Sequence, residues 1–286
     1  MKHFVTLKRT FSIGGGALAI GLAVLLGLAP RAVAETPTTL MLFCGAGIRP
    51  AAEALIRAFE AQHPRIRISA TYGGSGHLLG QIGSIHKGDV FMPGEAFYVE
   101  RALEMGLAKT NTQHTVGWFV PVIFAKKGNP RAIKKLSDLG QPGLRFGVGD
   151  ERACAVGITT AALLEQAGPV AAAAIRANIV YKSATVDELA MTVRLGTLDA
   201  VIVWEAVARY YADAGEIVPL AEGAKHAAAI SIVRLKSTHA PAAADAFIAF
   251  VVAPEGQALL AKLGYGPPNM LIGKPAARQY REKTRR

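Results

Sequence analysis

Short apolar runs alternate along the chain with stretches of amphipathic spacing. Residues 39–43 form an apolar run that ends in a glycine-rich turn, and apolar side chains then recur every three or four positions over 48–59. This pattern predicts a strand, a tight turn and an amphipathic helix. The same unit recurs with strands predicted at 65–72 and 89–94, each followed by helical spacing. Repeated alternation of strand and helix predicts a parallel sheet with right-handed crossovers.

The pattern changes at Trp118, after which a continuous apolar strand is predicted over 119–125. We interpret this strand as the crossing into a second α/β unit. Helices alternate there with further strands predicted at 144–148, 179–181, 198–204 and 227–235, and a helix pair is predicted at 241–263. The chain is therefore predicted to form two Rossmann-like α/β lobes around a hinged cleft. Lobe 1 comprises 35–120 and 225–273, and lobe 2 comprises 121–224.

The first 34 residues have the pattern of a secretory signal peptide. Lys2, Lys8 and Arg9 precede an apolar run over 13–28, and small residues close the segment at 32–34. Such a segment is removed on export, so it is not part of the fold. The mature chain is expected to begin at Glu35 and to reside in the periplasm. No other stretch of the sequence is long enough to span a bilayer.

The net charge of +11 is concentrated at the two ends of the chain. The segment 1–34 has four basic residues and no acidic one, and the segment 274–286 has six basic residues against Glu282. The body between them is nearly neutral. A nucleic-acid-binding protein would need a basic stripe on a groove-reading element, so the charge pattern argues against that class of partner. The segment 274–286 is interpreted as a basic tail.

Three predicted loops follow strands and lead into helices, at 44–49, 73–77 and 149–157. In open α/β sheets such loops form the ligand site. Glycine and small residues dominate the first two, which lets backbone N–H groups at helix N-termini approach a ligand and favours an anion. Ser75 adds a hydroxyl donor, and Arg49 and Arg152 are close enough in sequence to raise the local positive potential.

Sequence motifs for catalysis are missing from the chain. His77 stands where a nucleophile elbow would need its closing glycine, and the glycine-rich loops match neither a dinucleotide fingerprint nor a P-loop. The histidines are scattered, and neither HExxH nor CxxC occurs. We therefore expect a binding protein without a cofactor, without a site for a free metal cation, and without enzymatic activity.

The two cysteines, Cys44 and Cys154, each fall in a predicted ligand loop. Three interpretations remain open. Both residues can be small buried side chains, the thiols can contact the ligand directly, or closure of the lobes can bring them together as a disulfide in an oxidising compartment.

Four segments, taken in order, resemble one family. They read LFCGAGIRP at 42–50, YGGSGHLL at 72–79, GDVFMPG at 88–94 and VIVW at 201–204. In this order and spacing the chain resembles the type II periplasmic solute-binding proteins, and among them the molybdate- and tungstate-binding group of ABC importers. The resemblance implies the two-lobe type II fold and covers nearly all of the mature chain.

The resemblance also implies a function. Members of this group hold a tetrahedral dianion with backbone amides and hydroxyls from both lobes and deliver it to a membrane permease, so a monomeric oxyanion receptor is expected. Matched by position, the ligand contacts fall on Gly47, Ser75, Val156, Val186 and Trp204. Gly47 stands where the family commonly has serine, and Trp204 where it has tyrosine.

The choice of anion depends on protonation. A fully ionised oxyanion can be held by donors alone, whereas a protonated one also needs an acceptor. Asp150 and Glu151 are candidates for that role, or either could complete an expanded coordination shell around the metal of the oxyanion, and Glu205 is a further candidate. For all three, a solvated loop or an internal ion pair is the alternative. As an alternative function, Cys44 and Cys154 could bind a thiophilic oxyanion such as arsenite in a periplasmic sensor that signals to a membrane kinase.

Overall fold

The structure is a computed structural model that describes residues 37–267 together with Met1 and His3. The predicted signal peptide and basic tail lie outside the described residues, apart from Met1 and His3. The strands are β1 (Thr38–Gly45), β2 (Ile66–Gly73), β3 (Val90–Met92), β4 (His114–Phe119), β5 (Pro121–Lys126), β6 (Phe146–Gly149), β7 (Ile179–Ser183), β8 (Ala200–Trp204), β9 (Gly215–Pro219) and β10 (Ala228–Arg234).

Nine α-helices belong to the part of the chain that the structure describes. They are α1 (Arg49–Gln62), α2 (Ser75–Ile85), α3 (Ala96–Glu104), α4 (Ala155–Gln166), α5 (Pro169–Ala177), α6 (Val186–Arg194), α7 (Glu205–Tyr210), α8 (Pro241–Val252) and α9 (Pro254–Lys262). A 3-10 turn, Ala46–Ile48, joins β1 to α1. Within the described residues no single helix is long and apolar enough to cross a membrane, whereas α8 and α9 pass that test as a pair bent by 59°.

The strands form two five-stranded sheets. The first has the order β2-β1-β3-β10-β4 and the second the order β7-β6-β8-β5-β9. In the first sheet β1 runs parallel to β2 and β3, and in the second β6 runs parallel to β7 and β8. The α/β class and its two-sheet organisation agree with the sequence prediction.

The predicted parallel pairing is confirmed for β1, β2 and β3, but each sheet also contains antiparallel strands. Strand β10 is antiparallel to both β3 and β4, and β5 is antiparallel to β8 and β9. The apolar run predicted as one strand at 119–125 contains the last residue of β4 and most of β5, which belong to different sheets and are separated by Val120. The chain passes between sheets at Val120 without a crossover helix, so the direction of the next strand is not constrained to be parallel.

In each sheet, a carboxylate just before one central strand accepts a hydrogen bond from the chain of the neighbouring strand, within that strand or just before it. Asp89 accepts a hydrogen bond from the Met41 amide at 2.7 Å, and Asp199 accepts one from the Arg145 amide at 2.9 Å. Each precedes a fully buried strand, β3 or β8. Because a charged acceptor strengthens such a bond, these contacts fix the strands whose far ends lead to the cavity described below.

Aromatic packing joins the helices that cover the first sheet. The Phe59 ring on α1 lies 5.2 Å from that of Phe247 and 5.6 Å from that of Phe250, both on α8, measured between centroids. Phe59 is fully buried. Edge-to-face and tilted pairs of this kind add to the free energy gained by burying the rings. The helix pair predicted at 241–263 therefore does pack against the first half of the chain.

We predict that Phe59→Ala lowers the free energy of unfolding by about 3–5 kcal/mol, because it leaves a cavity beneath α8. Urea unfolding followed by circular dichroism measures this change. Phe97→Ala is the control, since Phe97 is 45% exposed and its loss leaves no internal cavity. Equal losses of stability in the two variants would contradict the role given to Phe59.

Candidate functional site

A cavity lies where loops that follow strands of both sheets meet. It offers about 260 Å³ of space free of protein atoms, its opening to solvent included. Strands β1, β2, β3, β6 and β8 all end towards it, which is the position expected for a ligand site in open sheets. Its lining residues are Gly45, Ala46, Gly47, Gly73, Gly74, Ser75, Gly94, Phe119, Cys154, Ala155, Thr185, Val186 and Trp204.

Five of the lining residues are helix N-caps. Gly45 precedes the 3-10 turn before α1, and the N-caps of α2, α4, α6 and α7 are Gly74, Cys154, Thr185 and Trp204. The first amides of a helix have no acceptor within that helix, and they lie at the positive end of its dipole. Both sheets therefore direct hydrogen-bond donors into one space.

Side chains use few of these first-turn amides. Among the five caps, only the Thr185 side chain accepts a bond from its own helix, from the Glu188 amide at 3.3 Å. The Glu205 amide at the start of α7 donates instead to the Val120 carbonyl at 2.8 Å. The amides of Ser75, Ala155 and other first-turn residues remain available to a ligand.

The lining of the cavity carries no ionisable acid or base other than the thiol of Cys154. The Ser75 hydroxyl accepts a hydrogen bond from the Gly94 amide at 3.0 Å, which leaves its own proton to donate. Burial raises the pKa of the Cys154 thiol to about 12, and the nearby backbone amides of Val156 and Gly157 lower it by less. The site thus offers donors without a full counter-charge and without a carboxylate acceptor.

Two stacked aromatic rings form one wall of the cavity. The rings of Phe119 and Trp204 lie 4.8 Å apart between centroids with an interplanar angle of 8°. They are the last residues of β4 and β8, so one ring comes from each sheet. Both side chains are buried. This contact ties the two sheets together beside Val120, where the chain passes between them.

Glycines allow the loop before α2 to contact the second sheet directly. The Gly76 amide donates to the Ala153 carbonyl at 3.1 Å. A Cβ atom on Gly76 would lie 2.0 Å from the Arg152 carbonyl oxygen, and one on Gly74 would lie 2.1 Å from that of Ala184. These distances exclude any larger residue at either position, because the opposing atoms are backbone. Loops from the two sheets are therefore in direct backbone contact beside the cavity, and this is called the closed arrangement of the two sheets.

Gly47 fits closely against the opposite loop. A Cβ atom there would lie 2.8 Å from Cγ1 of Val186, and the Gly47 carbonyl accepts a hydrogen bond from the Tyr265 hydroxyl at 2.8 Å. A serine at position 47 would therefore require Val186 to move. The resemblance described above implies serine at this position, and the glycine found here leaves room for the Val186 side chain opposite it.

The structure brings together five of the residues singled out from the sequence. Gly47, Ser75, Cys154, Val186 and Trp204 all line the cavity. Val156 does not line it, and its side chain is fully buried in the first turn of α4.

The two cysteines occupy different environments. Cys44 is fully buried in β1, outside the cavity lining, with its thiol 3.6 Å from the carbonyl oxygen of Gly45. Burial raises the pKa of this thiol as well. Both cysteines are free, so the disulfide considered from the sequence is not formed. The cavity contains one thiol and not the two that the arsenite hypothesis requires.

The charged residues suggested by the sequence lie outside the cavity lining. Arg49 stacks over the Tyr72 ring at 4.5 Å, and the Arg152 side chain is 94% exposed, 3.9 Å from Asp150. The Glu205 carboxylate pairs with Arg209 on the next turn of α7. Glu151 is exposed at the surface. An ion pair therefore describes Asp150 and Glu205, and exposure to solvent describes Glu151 and Arg152.

Sequence reasoning misses several lining residues, chiefly Gly94, Phe119 and Thr185. Thr185 has a recognisable signal, because Thr-Val-Asp-Glu at 185–188 has the spacing of a capping box at a helix start. Phe119 lies in an apolar run whose division between two sheets is not visible in its spacing. Gly94 is visible as the end of a strand, but its approach to Ser75 depends on the tertiary fold.

The two sheets with a donor-lined cavity between them define a two-lobed periplasmic binding protein of type II. Residues 40–266 match the family model described as bacterial extracellular solute-binding protein. The chain belongs to that family.

Known proteins with similar sequences include two binding proteins. The chain is 29% identical over 231 residues to a binding protein of Haemophilus influenzae, covering 80% of this chain and 91% of that one. It is 26% identical over 246 residues to the molybdate-binding protein ModA of Mycobacterium tuberculosis, covering 84% and 88%.

Solved structures agree in fold. The Azotobacter vinelandii periplasmic molybdate-binding protein is similar with a TM-score of 0.68 at 20% identity, over 80% of this chain and 99% of that one. The sulfate-binding protein SubI of Mycobacterium tuberculosis is similar with a TM-score of 0.70 at 18% identity, over 82% and 89%.

We predict that Gly76→Ala shifts the protein towards an open arrangement of its two sheets, because the added carbon meets the Arg152 carbonyl. Small-angle X-ray scattering should show a larger radius of gyration. Gly80→Ala is the matched control on the same helix, since a Cβ atom on Gly80 meets nothing within 4 Å. Equal radii for the two variants would show that the contact between Gly76 and Ala153 is not a condition of closure.

Proposed function

We propose that this protein is an extracytoplasmic receptor that captures a small tetrahedral oxyanion, with molybdate and tungstate as the first candidates, and delivers it to the permease of an ABC importer. The observation that carries the proposal is the convergence of helix N-caps from both sheets on one cavity without charged side chains. Helix N-termini are general anion sites. The similarity to molybdate-binding proteins supports the choice of anion.

The size of the cavity supports an inorganic ligand. Pockets for drug-sized molecules usually hold about 300–1,000 Å³. The 260 Å³ found here includes the opening to solvent, so the enclosed part is smaller still. An ion of five heavy atoms is a better match to this space than an organic solute.

The donor set favours a fully ionised anion. A protonated anion such as monohydrogen phosphate brings a hydroxyl that needs an acceptor, and a buried donor without one costs about 1–3 kcal/mol. The cavity lining contains no carboxylate. We therefore expect molybdate, tungstate or sulfate to bind more tightly than phosphate.

Each contacting residue has a proposed part. Ser75 donates its hydroxyl proton, and Gly47 and Val186 supply backbone donors from opposite sides. Cys154 contributes a protonated thiol, which is a weak donor, because its amide already donates to the Asp150 carbonyl at 2.8 Å. Trp204 closes the wall with Phe119. Val156 acts through its amide in the first turn of α4, since its side chain is turned away into the core.

The remaining parts of the proposal concern location and motion. Residues 1–34 direct export to the periplasm, and the mature protein acts as a monomer without cofactor or catalysis. Lobe 1 comprises 35–120 and 225–273, and lobe 2 comprises 121–224. Binding closes the lobes by rotation about the two connections between the sheets, near Val120 and between β9 and β10.

Isothermal titration calorimetry with molybdate, tungstate, sulfate and phosphate tests the proposal. We expect one anion per chain and a rise in melting temperature, because a ligand at 100 times its Kd adds about 2.7 kcal/mol to the free energy of unfolding. Native mass spectrometry identifies the bound ion. Absence of binding by all four anions, or tighter binding of phosphate than of molybdate, would contradict the proposal.

Ser75→Ala should weaken molybdate binding about ten- to a hundredfold, since a hydrogen bond to a charged group contributes about 1.5–3 kcal/mol. The same titration measures this loss. Ser84→Ala is the matched control on α2, because the Ser84 hydroxyl donates to the Gly80 carbonyl at the exposed face of that helix. An unchanged Kd for Ser75→Ala would remove Ser75 from the binding site.

A further inference from the structure

Three buried polar atoms on residues beside the cavity have no hydrogen-bond partner among the described residues. They are Oε2 of Glu95, the hydroxyl oxygen of Tyr98, and Oε2 of Glu205, whose other carboxylate oxygen pairs with Arg209. Glu95 is the N-cap of α3 and directly follows Gly94, which lines the cavity. Tyr98 is 3% exposed, one turn further along. Unpartnered buried groups are rare in native proteins and call for a specific explanation.

The second sheet covers this turn of α3 in the closed arrangement. A Cβ atom on Gly94 would lie 3.3 Å from that of Ala155, so the first turn of α4 packs against the chain just before Glu95. The Tyr98 hydroxyl lies within electrostatic range of Cys154 and Asp150, both of the loop before α4. Closure of the two sheets therefore removes part of the water around Glu95, whose Oε2 is buried although the residue as a whole stays partly exposed.

No positive group compensates the Glu95 carboxylate. The structure shows no ion pair to it within the described residues, and the charge acting on it is that of Glu100 on the same helix. Burial and the repulsion from Glu100 raise the pKa of Glu95 to about 7. Tyr98 stays protonated, because burial and the nearby Glu95 carboxyl raise the pKa of its phenol.

The neighbouring elements bring no cation to Glu95 either. Helix α3 packs against α2, which carries the exposed His77, and against β10, whose Arg234 is held by Asp245 at 2.8 Å. On the second sheet, Arg152 is turned to solvent and interacts with Asp150. An anion that enters the cavity thus adds negative charge next to a carboxyl group that already lacks a counter-ion.

We propose that Glu95 couples anion capture to the uptake of one proton. When the sheets close over an anion, the Glu95 carboxylate takes a proton from solvent and becomes a neutral acid. When they open and release the anion, the exposed carboxyl returns the proton to solvent. This inference rests on the proposed function and identifies a residue that determines affinity without lining the cavity.

The direction of the pH dependence follows from the state of Glu95. In the open form the carboxyl is solvated and ionises near its ordinary pKa, whereas the closed form holds the proton up to about pH 7. Between the pKa of Glu95 in the open form and its pKa in the closed form, the affinity for the anion falls by up to tenfold per pH unit as pH rises. Above both pKa values, Glu95 is ionised in either form, and the affinity no longer changes with pH.

Calorimetric titration with micromolar molybdate at pH 7.0, in buffers that differ in ionisation enthalpy, measures the protons taken up per anion bound. We expect an uptake of at least about half a proton for the natural sequence at this pH, because the closed-form pKa is about 7 before the charge of the anion raises it further. Glu95→Gln should show none, with a Kd that is flat between pH 6 and 8. Glu104→Gln is the matched control, a carboxyl on the same helix that is 61% exposed, and it should keep the uptake.

The outcomes separate this inference from the function on which it rests. Molybdate binding without proton uptake, or uptake that persists in Glu95→Gln, overturns the role of Glu95 and leaves the receptor intact. Failure of molybdate, tungstate and sulfate to bind at any pH overturns both. If Glu95→Gln does not fold, Glu95→Ala takes its place and should also lose the uptake, and uptake that persists in Glu95→Ala overturns the role of Glu95.

Discussion

An anion removed from water without a counter-ion has to be held by hydrogen-bond donors that are already oriented towards it. In the anion site proposed for this protein, helix starts rather than charged side chains meet this constraint. The N-caps of α2, α4, α6 and α7 border one cavity, and the chain segments that bring them there come from two separate sheets. The close glycine contacts, the stacked rings and the neutral lining all depend on this convergence.

The sequence predicts the parts of the fold whose signals are local. A continuous apolar run followed by a glycine turn marks β1, and the glycine-rich turn before α2 marks the loop that carries Ser75. Helix α5 begins with Pro169 after Gly168, a start signal that apolar spacing alone does not reveal. Strand β9 is a short strand at the edge of the second sheet and reads Gly-Glu-Ile-Val-Pro, so its hydrophobic pattern is too weak to predict a strand.

Other features depend on distant partners and cannot be read from spacing. The direction of β10 is set by β3 and β4, which lie more than a hundred residues earlier in the chain. Arg49 follows a ligand loop in sequence, yet the Tyr72 ring draws its side chain away from the cavity. The contact between Gly47 and Val186 also depends on the tertiary fold. The absence of a side chain at position 47 is explained only by the Val186 side chain that lies opposite it.

The place of β10 has a consequence for how the protein is made. It fills the gap between β3 and β4, although it is the last strand of the described chain to leave the ribosome. Until residue 228 has emerged, β3 and β4 each present an open edge of unpaired backbone groups, which other chains can join. A nascent chain of this topology gains from a holding chaperone, and a truncation before β10 would leave a sheet that cannot be completed.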